Sequence, residues 1–369
     1  LKNRNPADQK SRCFKMGSRA ANEYGYINAR IRGMKSRFLT VGDYERLLQS
    51  ASYEDFMRTL GGTYYGPIIN AEFPRGIPDP ADLGLVLSKD FADISYRLIR
   101  SLSGRVREFT ETYLNMFLAE SIKSIIRGLH VELERDEILR FLVPTSPEQA
   151  SEFEQLVDAG SVKKAIDILP YWDVKIALLT KLPAYEEYEA TAPLEVAVEE
   201  WYLRTVMDAL KQFSSEDQSR VLDVLEARVD LRNILTLIRA LVLQLEPRVI
   251  DMSLIRFTRK SQAIVELIEV SSSWREIFNK LGSTRYGQLA GRLARIYEDT
   301  NDLSEVELAI EDYIAKRVKL QLTAFPFHIG TVLGFFNLKY YEIRNIRSIA
   351  VGTERGQPPE DIRRMITIW

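Results

Sequence analysis

Cysteine is almost absent from this sequence: Cys13 is the only one among 369 residues, so no disulfide can form within the chain. Such a chain suits a reducing compartment. Long apolar runs are also missing. The longest candidate, Ile234–Leu243, is interrupted by Arg239 and falls well short of the roughly 18 residues needed to span a bilayer. With no signal peptide evident, these absences predict a protein that is soluble or attached to a membrane surface.

The sequence is also poor in the residues and motifs from which active sites are built. Only two histidines occur, His130 and His328, and neither has a histidine, cysteine or carboxylate at metal-ligand spacing. The phosphate-binding loop Gly-x4-Gly-Lys-Ser/Thr and the nucleophile motif Gly-x-Ser-x-Gly are missing. An all-α enzyme acting on isoprenoid diphosphates would need paired aspartate-rich motifs, which are also missing. We therefore expect no catalytic residue, no metal, no cofactor and no small-molecule substrate.

The charge of the chain is nearly balanced, with a formal net charge of −2 at pH 7. That balance argues against general nucleic-acid binding. The charge is distributed unevenly, because residues 1–21 carry six lysines or arginines against Asp8 alone and have no periodic apolar pattern. We interpret residues 1–21 as a disordered extension rather than a functional basic arm.

Apolar residues at helical spacing are abundant. Ile27, Ile31, Met34 and Phe38 form one such stripe, and similar stripes follow along most of the chain. No sustained alternation of apolar and polar residues occurs, so strands are not expected. The fold class is predicted to be all-α.

Local residues mark several helix ends. Ser52, Ser273 and Ser304 each precede a carboxylate by three residues, and we predict that they are N-caps. Gly61 and Gly282 each follow a leucine at the end of an apolar stripe. They are predicted to end helices with a positive φ.

Prolines mark further breaks. Residues 183–193 begin and end with proline and are predicted to form a solvated loop that carries the acidic cluster at 186–189. Pro326 interrupts what would otherwise be one helix from Val306 through Val351. Proline removes a backbone hydrogen bond and clashes with the preceding turn, so we predict a break near Phe325–Phe327.

The sequence also repeats itself. Three separate blocks match three later blocks at a constant offset of 112 residues: Leu156–Leu169 with Ile268–Leu281, Leu194–Trp201 with Val306–Tyr313, and Arg232–Ile234 with Arg344–Ile346. An upstream block, Tyr53–Gly66, matches Trp274–Gly287. Collinear blocks at one offset predict three copies of one helical module.

We place these modules at residues 22–130, 131–243 and 244–352, followed by a C-terminal element at 353–369. An open array of three modules would need polar caps at both ends, but the outer modules are as apolar as the middle one. The modules are therefore expected to close on one another as three pseudo-threefold-related helical bundles around a central axis.

Most conspicuous aromatic residues recur at equivalent positions of the repeats. Tyr53 matches Trp274, and Trp201 matches Tyr313, which favours packing in the core over a binding role. The pairs Tyr65-Gly66 and Tyr286-Gly287 are predicted to form a rigid turn with a buried ring. The aromatic residues therefore do not predict a ligand site.

Polar side chains on the apolar helix at 331–347 are the candidates for contact with a partner. Arg347 is the best candidate because Leu235 stands at the equivalent position of the second module. Arg344 recurs there as Arg232 and is expected to pair within the chain. The full set of candidate partner-binding residues is Arg347, Arg344, Asn345 and His328.

Stretches at both ends of the repeated region resemble a known protein family. They are residues 24–37 (YGYINARIRGMKSR), 43–48 (DYERLL), 63–66 (TYYG) and 326–347 (PFHIGTVLGFFNLKYYEIRNIR). The likeness is to the C-type stalk proteins of archaeal-type (A-type, V-type) rotary ATPases, the counterparts of the d-type protein of the eukaryotic vacuolar enzyme. It covers essentially residues 22–362 and is stronger for the prokaryotic branch.

This resemblance implies a non-catalytic central-stalk protein. Members of the family form a funnel of helices with a threefold repeat on the cytoplasmic face of the membrane. The funnel couples axle subunits of the D and F type to the membrane proteolipid ring, which links ATP hydrolysis or synthesis to H⁺ or Na⁺ transport. No cofactor or nucleic acid is implied. If the resemblance holds, we expect the axle socket around Arg347 and the connecting loops.

A free-standing helical-repeat scaffold for protein–protein interaction is the alternative. It would have the same fold but no attachment to a proteolipid ring. An exposed apolar patch at one end of the funnel would favour the rotary function.

Overall fold

The computed structural model describes residues 24–323 and 328–369, and within them every regular element is an α-helix. This confirms the all-α class. In chain order the nineteen helices of the described residues are α1 (24–35), α2 (Val41–Leu48), α3 (Tyr53–Gly61), α4 (Tyr65–Glu72), α5 (Pro80–Ile99), α6 (Gly104–His130), α7 (Arg135–Leu139), α8 (Pro147–Asp158), α9 (Val162–Ile168), α10 (Trp172–Tyr188), α11 (Ala192–Leu210), α12 (Ser215–Leu243), α13 (Pro247–Ser253), α14 (Arg259–Ile268), α15 (Trp274–Leu281), α16 (Gly287–Thr300), α17 (Leu303–Thr323), α18 (Gly330–Glu354) and α19 (Pro359–Arg363). The extension at 1–21 and its Cys13 lie outside the described residues.

Two of the three predicted N-caps are confirmed. The hydroxyl of Ser52 accepts a hydrogen bond from the third residue of α3, and Ser273 does the same for α15. The prediction for Ser304 is wrong, because α17 already begins at Leu303 and the carboxylate of Asp302 accepts from the Ser304 N–H at 2.8 Å. Asp is as good a cap as Ser, so it captures the helix start two residues earlier.

The positive φ predicted for Gly61 and Gly282 is wrong. Gly61 is still part of α3, and Gly282 has a φ of −55°. The glycines that the turns require are the later ones. A Cβ on Gly66 would lie 2.0 Å from the carbonyl oxygen of Gly61, and one on Gly287 would lie 2.4 Å from that of Gly282. The turn therefore needs glycine for close backbone approach and not for its φ.

The loop predicted at 183–193 is also corrected. Helix α10 continues through Pro183 to Tyr188, so most of the acidic cluster at 186–189 is helical. A proline inside a helix costs about 3 kcal/mol, which is offset here because Leu178 and Leu182 are buried on a helix that packs along α11. The break predicted near Phe325–Phe327 lies outside the described residues; α17 ends before it and α18 begins after it.

The three longest helices are α6, α12 and α18, and each is packed by a helix from a different part of the chain. Helix α11 packs against α6, α17 packs against α12, and α5 packs against α18. The beginning of the chain thus lies on its last long helix. The core packing predicted for the repeated aromatic residues is confirmed: Trp201 is buried, and Tyr53, Trp274 and Tyr313 are half-buried against the core.

A polar node joins the three long helices where they meet. The amide of Asn337 on α18 donates to the hydroxyl of Tyr113 on α6 at 2.6 Å, and the guanidinium of Arg228 on α12 donates to the Asn337 carbonyl oxygen. Tyr113 is fully buried. Because buried polar groups must be paired, this node fixes the depth at which the helices cross.

Ion pairs hold α11 against α6. The buried ammonium of Lys123 donates to Glu199 at 2.6 Å, and Arg127 forks onto Glu195. Burial opposes the charged form of both carboxyl groups, but these cations more than compensate, so the pKa values of Glu195 and Glu199 are lowered from the ordinary 4.5.

Acid is expected to weaken this contact. A carboxyl group whose pKa is lowered in the folded state contributes stability above its unfolded pKa of about 4.5 and loses it as the pH falls through the folded value. At pH 7, Glu195→Gln should therefore lower the free energy of unfolding by roughly 1–3 kcal/mol, and the difference from wild type should close by about pH 3. Urea denaturation across this pH range measures it, and a difference that does not change with pH would contradict the assignment.

Candidate functional site

A polar cluster is buried between α18 and the first helices of the chain. At its centre, Glu342 is fully buried on α18. One carboxylate oxygen accepts from the hydroxyl of Tyr65 at 2.6 Å, and the other accepts from the backbone N–H of Leu39 at 2.6 Å. Tyr65 begins α4 and Leu39 precedes α2, so a single carboxylate holds two elements from the start of the chain onto α18.

Lys339 completes this cluster. Its buried ammonium donates to the Tyr65 hydroxyl at 2.8 Å and lies 3.3 Å from Glu342 and 3.5 Å from Asp90. Asp90 on α5 also accepts from the hydroxyl of Tyr64 at 3.0 Å. A buried lysine is tolerated only when it is paired, and here two carboxylates from two helices compensate for its charge.

The electrostatics of the cluster favour holding over proton transfer. Burial raises the pKa of Glu342, while Lys339 and the hydrogen bonds from Tyr65 and Leu39 act against that rise. Burial also raises the pKa of the Tyr65 hydroxyl, and the neighbouring Glu342 raises it further. Tyr65 therefore stays protonated at neutral pH and remains a hydrogen-bond donor. The arrangement connects helices and offers no group poised for catalysis.

A second junction uses the same pairing. The hydroxyl of Tyr286 donates to Asp230 on α12 at 2.6 Å, just as Tyr65 donates to Glu342 on α18. Asp230 and Glu342 are 112 residues apart, the offset found in the sequence. The cation differs, since Arg285 in the turn itself takes the role that Lys339 plays from α18, donating to Asp230 at 2.6 Å. Charge compensation is thus kept with the cation on the other partner.

A third contact recurs at three places. After each long helix the chain folds back, and a side chain on the helix accepts from a backbone N–H 22 residues later. The pairs are Ser121 with Val143 at 3.1 Å, Asn233 with Ile255 at 3.0 Å, and Asn345 with Thr367 at 3.1 Å. Both asparagines also donate to the carbonyl of the same residue, which makes a two-bond clip. Consecutive pairs lie 112 residues apart.

The four candidate partner-binding residues occupy different environments. Arg344 forks onto Glu311 of α17, which confirms the expected pairing within the chain. Arg347 is half-buried and donates to the carbonyls of Gly84 and Arg140.

The other two candidates lie in the interior. Asn345 forms one of the clips, and His328 is buried beside the start of α18 with its carbonyl oxygen accepting from the Thr331 N–H. The four residues therefore share one helix and its N-terminal approach but do not converge on one surface. As partner contacts, they remain a prediction.

Sequence reasoning found parts of this cluster and missed its pairing. The buried rings of Tyr65 and Tyr286 were predicted and are confirmed. The partners Glu342 and Asp230 were not identified, although both are acids at one offset on otherwise apolar helices. That coincidence was the signal available in the sequence.

Two kinds of site are absent from residues 24–323 and 328–369. No group of three or more His, Cys, Asp or Glu side chains could hold a metal ion. Among the helices of that part of the chain, none combines the length and apolar character needed to cross a membrane.

Known proteins resemble this chain over nearly its whole length. Residues 27–365 match the family described as ATP synthase (C/AC39) subunit. The C-type protein of the A-type ATP synthase from Methanocaldococcus jannaschii is 22% identical over 349 residues, which cover 93% of this chain and 86% of that protein. The same protein from Haloferax volcanii is 26% identical over 352 residues, with 93% and 97% covered. That of Pyrococcus abyssi is 23% identical over 350 residues, with 93% and 90% covered. This chain therefore belongs to the ATP synthase (C/AC39) subunit family.

Proposed function

We propose that this chain is a non-catalytic central-stalk component of a rotary ATPase. It joins axle subunits of the D and F type to the membrane proteolipid ring on the cytoplasmic face. Rotation driven by ATP hydrolysis, or by ions crossing the membrane during synthesis, passes through it. The observation that carries the proposal is the match to the ATP synthase (C/AC39) subunit family over residues 27–365.

The proposal includes a funnel made of three pseudo-threefold-related modules at 22–130, 131–243 and 244–352. Its support comes from contacts that recur at the 112-residue offset: the three backbone clips after the long helices and the two Tyr–carboxylate junctions. The long helices α6 and α12 end at His130 and Leu243, and α18 ends at Glu354. A body that transmits torque needs such distributed packing, because a single surface ion pair contributes only about 0–1 kcal/mol.

Exposed apolar side chains favour the rotary function over a free-standing scaffold. Val131 and Leu133 follow the end of α6 and are 61% and 40% exposed. Leu243 and Leu245 at the end of α12 are 65% and 41% exposed. Apolar residues exposed at equivalent helix ends mark a surface that a partner covers. In the proposed assembly that partner is the proteolipid ring.

Co-purification tests this function. The tagged chain is expressed in its native cell, membranes are solubilised in mild detergent, and the bound proteins are identified by mass. The expected result is recovery of a small, very hydrophobic ring-forming protein together with the ATPase head and axle subunits. Recovery without any other ATPase protein would contradict the proposal and favour the scaffold.

We further propose that the axle contacts the region of Arg347. Arg347→Glu is expected to weaken binding of purified axle subunits at least tenfold, because a rim charge that meets an acidic partner is reversed. Ser88→Ala is the matched control: it removes one internal acceptor of the Arg347 guanidinium but leaves the charge in place. Titration by surface plasmon resonance measures both. Unchanged affinity of a folded Arg347→Glu protein would rule out this location.

A further inference from the structure

A cavity of about 360 Å³ opens between α1, α5 and α18. Three arginines reach it from two sides: Arg30 lies on α1 and Arg37 just beyond its end, while Arg97 lies on α5. Lys339 of α18 forms part of its lining as well. The lining contains no aspartate or glutamate, so positive charge dominates this space.

The three arginines have no carboxylate partner within the described residues. Arg30 donates to the hydroxyl of Tyr26 at 3.2 Å, and Arg97 donates to the backbone carbonyl of Asp93 at 3.2 Å. The guanidinium of Arg37 lies 5.5 Å from the ring centre of Tyr64. Each guanidinium has five N–H donors, so most of their donor capacity remains open to a ligand.

A second cavity shows what arginines in this protein do when their charge serves the fold. Arg285 and Arg317 both line it. Arg285 is paired with Glu226 at 2.9 Å and with Asp230 at 2.6 Å, and Arg317 is paired with Asp223 at 2.5 Å. The first cavity differs in that its three arginines are left without acids, while its lysine is already compensated by the buried cluster.

The size of the cavity decides the class of ligand. A single turn of α-helix, about 10 Å across and 5.4 Å long, occupies roughly 420 Å³. That volume exceeds the 360 Å³ available, so a helical protein segment does not fit. Cavities of about 300–1,000 Å³ are typical of small-molecule sites. The apolar part of the wall, where Phe38 stacks on Phe335 at 5.6 Å, would cover the uncharged part of such a molecule.

We propose that this cavity binds a small phosphate-bearing anion through the guanidinium groups of Arg30, Arg37 and Arg97. Guanidinium presents paired N–H donors that match phosphate oxygens, and charge-assisted hydrogen bonds of this kind are about twice as strong as neutral ones. The phosphate can belong to a free small molecule or to a lipid headgroup. This site is independent of the proposed axle and ring contacts.

Isothermal titration of the full chain with inorganic pyrophosphate tests the site. Wild type is expected to bind, with affinity that falls as salt is raised. Arg97→Gln and Arg37→Gln should each weaken binding roughly tenfold or more. Both side chains belong to exposed residues, so the variants should fold, which thermal melting by circular dichroism verifies. Arg100→Gln is the matched control, because Arg100 directly follows α5 and contacts Tyr96 as Arg30 contacts Tyr26, yet it does not line the cavity.

Each outcome of the experiment is decisive. Flotation with phosphatidylcholine vesicles, with and without phosphatidylglycerol, distinguishes the two phosphate sources; binding that Arg97→Gln abolishes would assign the site to a headgroup. Failure of wild type to bind either phosphate probe overturns the proposal. Equal losses in Arg97→Gln and Arg100→Gln would reduce it to diffuse surface charge and overturn it too. Binding of an acidic peptide in place of pyrophosphate would overturn it in favour of a protein partner.

Discussion

Replacing Glu342 with alanine is expected to lower the free energy of unfolding by roughly 3–5 kcal/mol, as loss of one partner from a buried ion pair does. The substitution leaves three buried donors without their acceptor: the Tyr65 hydroxyl, the Leu39 N–H and the ammonium of Lys339. Each unsatisfied buried group costs about 1–3 kcal/mol. Because all three hydrogen bonds are lost whether the carboxyl group is charged or neutral, the expected loss does not depend on its protonation.

Urea denaturation measures the effect, and two variants frame it. Glu342→Gln keeps one acceptor oxygen and should lose less than the alanine variant. Glu108→Ala removes an exposed carboxylate near the start of α6 and should change stability by no more than about 0.5 kcal/mol. Hydrogen exchange adds a local measurement, since the Leu39 amide should lose protection. A Glu342→Ala protein within about 1 kcal/mol of wild type would contradict the assigned role of this cluster.

Replacing Gly66 with alanine is expected to destabilise the protein by more than roughly 3 kcal/mol, at or above the upper end of ordinary overpacking. The new Cβ would lie 2.0 Å from the carbonyl oxygen of Gly61. That oxygen is backbone and cannot rotate away, so α3 and α4 would have to separate. Their separation would also draw Tyr65 away from Glu342.

The second copy of the turn provides an internal comparison. Gly287→Ala should also be destabilising but less so, because its Cβ would lie 2.4 Å from the Gly282 oxygen. Gly291→Ala, four residues further along α16, meets nothing within 4 Å and should stabilise the helix by up to about 1 kcal/mol. Thermal melting of the three variants tests this ranking. Equal effects at Gly66 and Gly291 would show that the close approach does not constrain the turn.

Local sequence was sufficient for the elements and for some of their ends. Helical spacing of apolar residues predicted the all-α class, and Ser52 and Ser273 cap the helices expected of them. These features depend on contacts within about one helical turn, which a short window of sequence contains. The same local reasoning failed at Ser304, where a competing cap stood two residues earlier, and at Pro183, where burial along α11 outweighed the cost of proline.

The 112-residue offset went further, because it compares the chain with itself. It pointed to the positions of the clips at Asn233 and Asn345 and to the buried tyrosines, and it showed that Arg344 has a counterpart. It could not say what those side chains contact. Arg344 pairs with Glu311, whereas its counterpart Arg232 donates to the carbonyl of Ser253.

The sequence by itself thus determined the helices, the repeated positions and the absence of a recognisable catalytic or cofactor motif. Only the tertiary structure decided which side chains meet: Tyr65 with Glu342 across 277 residues, and the open arginines around the cavity beside α1. The reason is physical. Propensity and capping act between neighbours in sequence, but partner choice among buried charges depends on which helices pack together and on where a compensating cation lies. Lys339 on α18 and Arg285 in its turn fill that need from opposite sides of equivalent junctions.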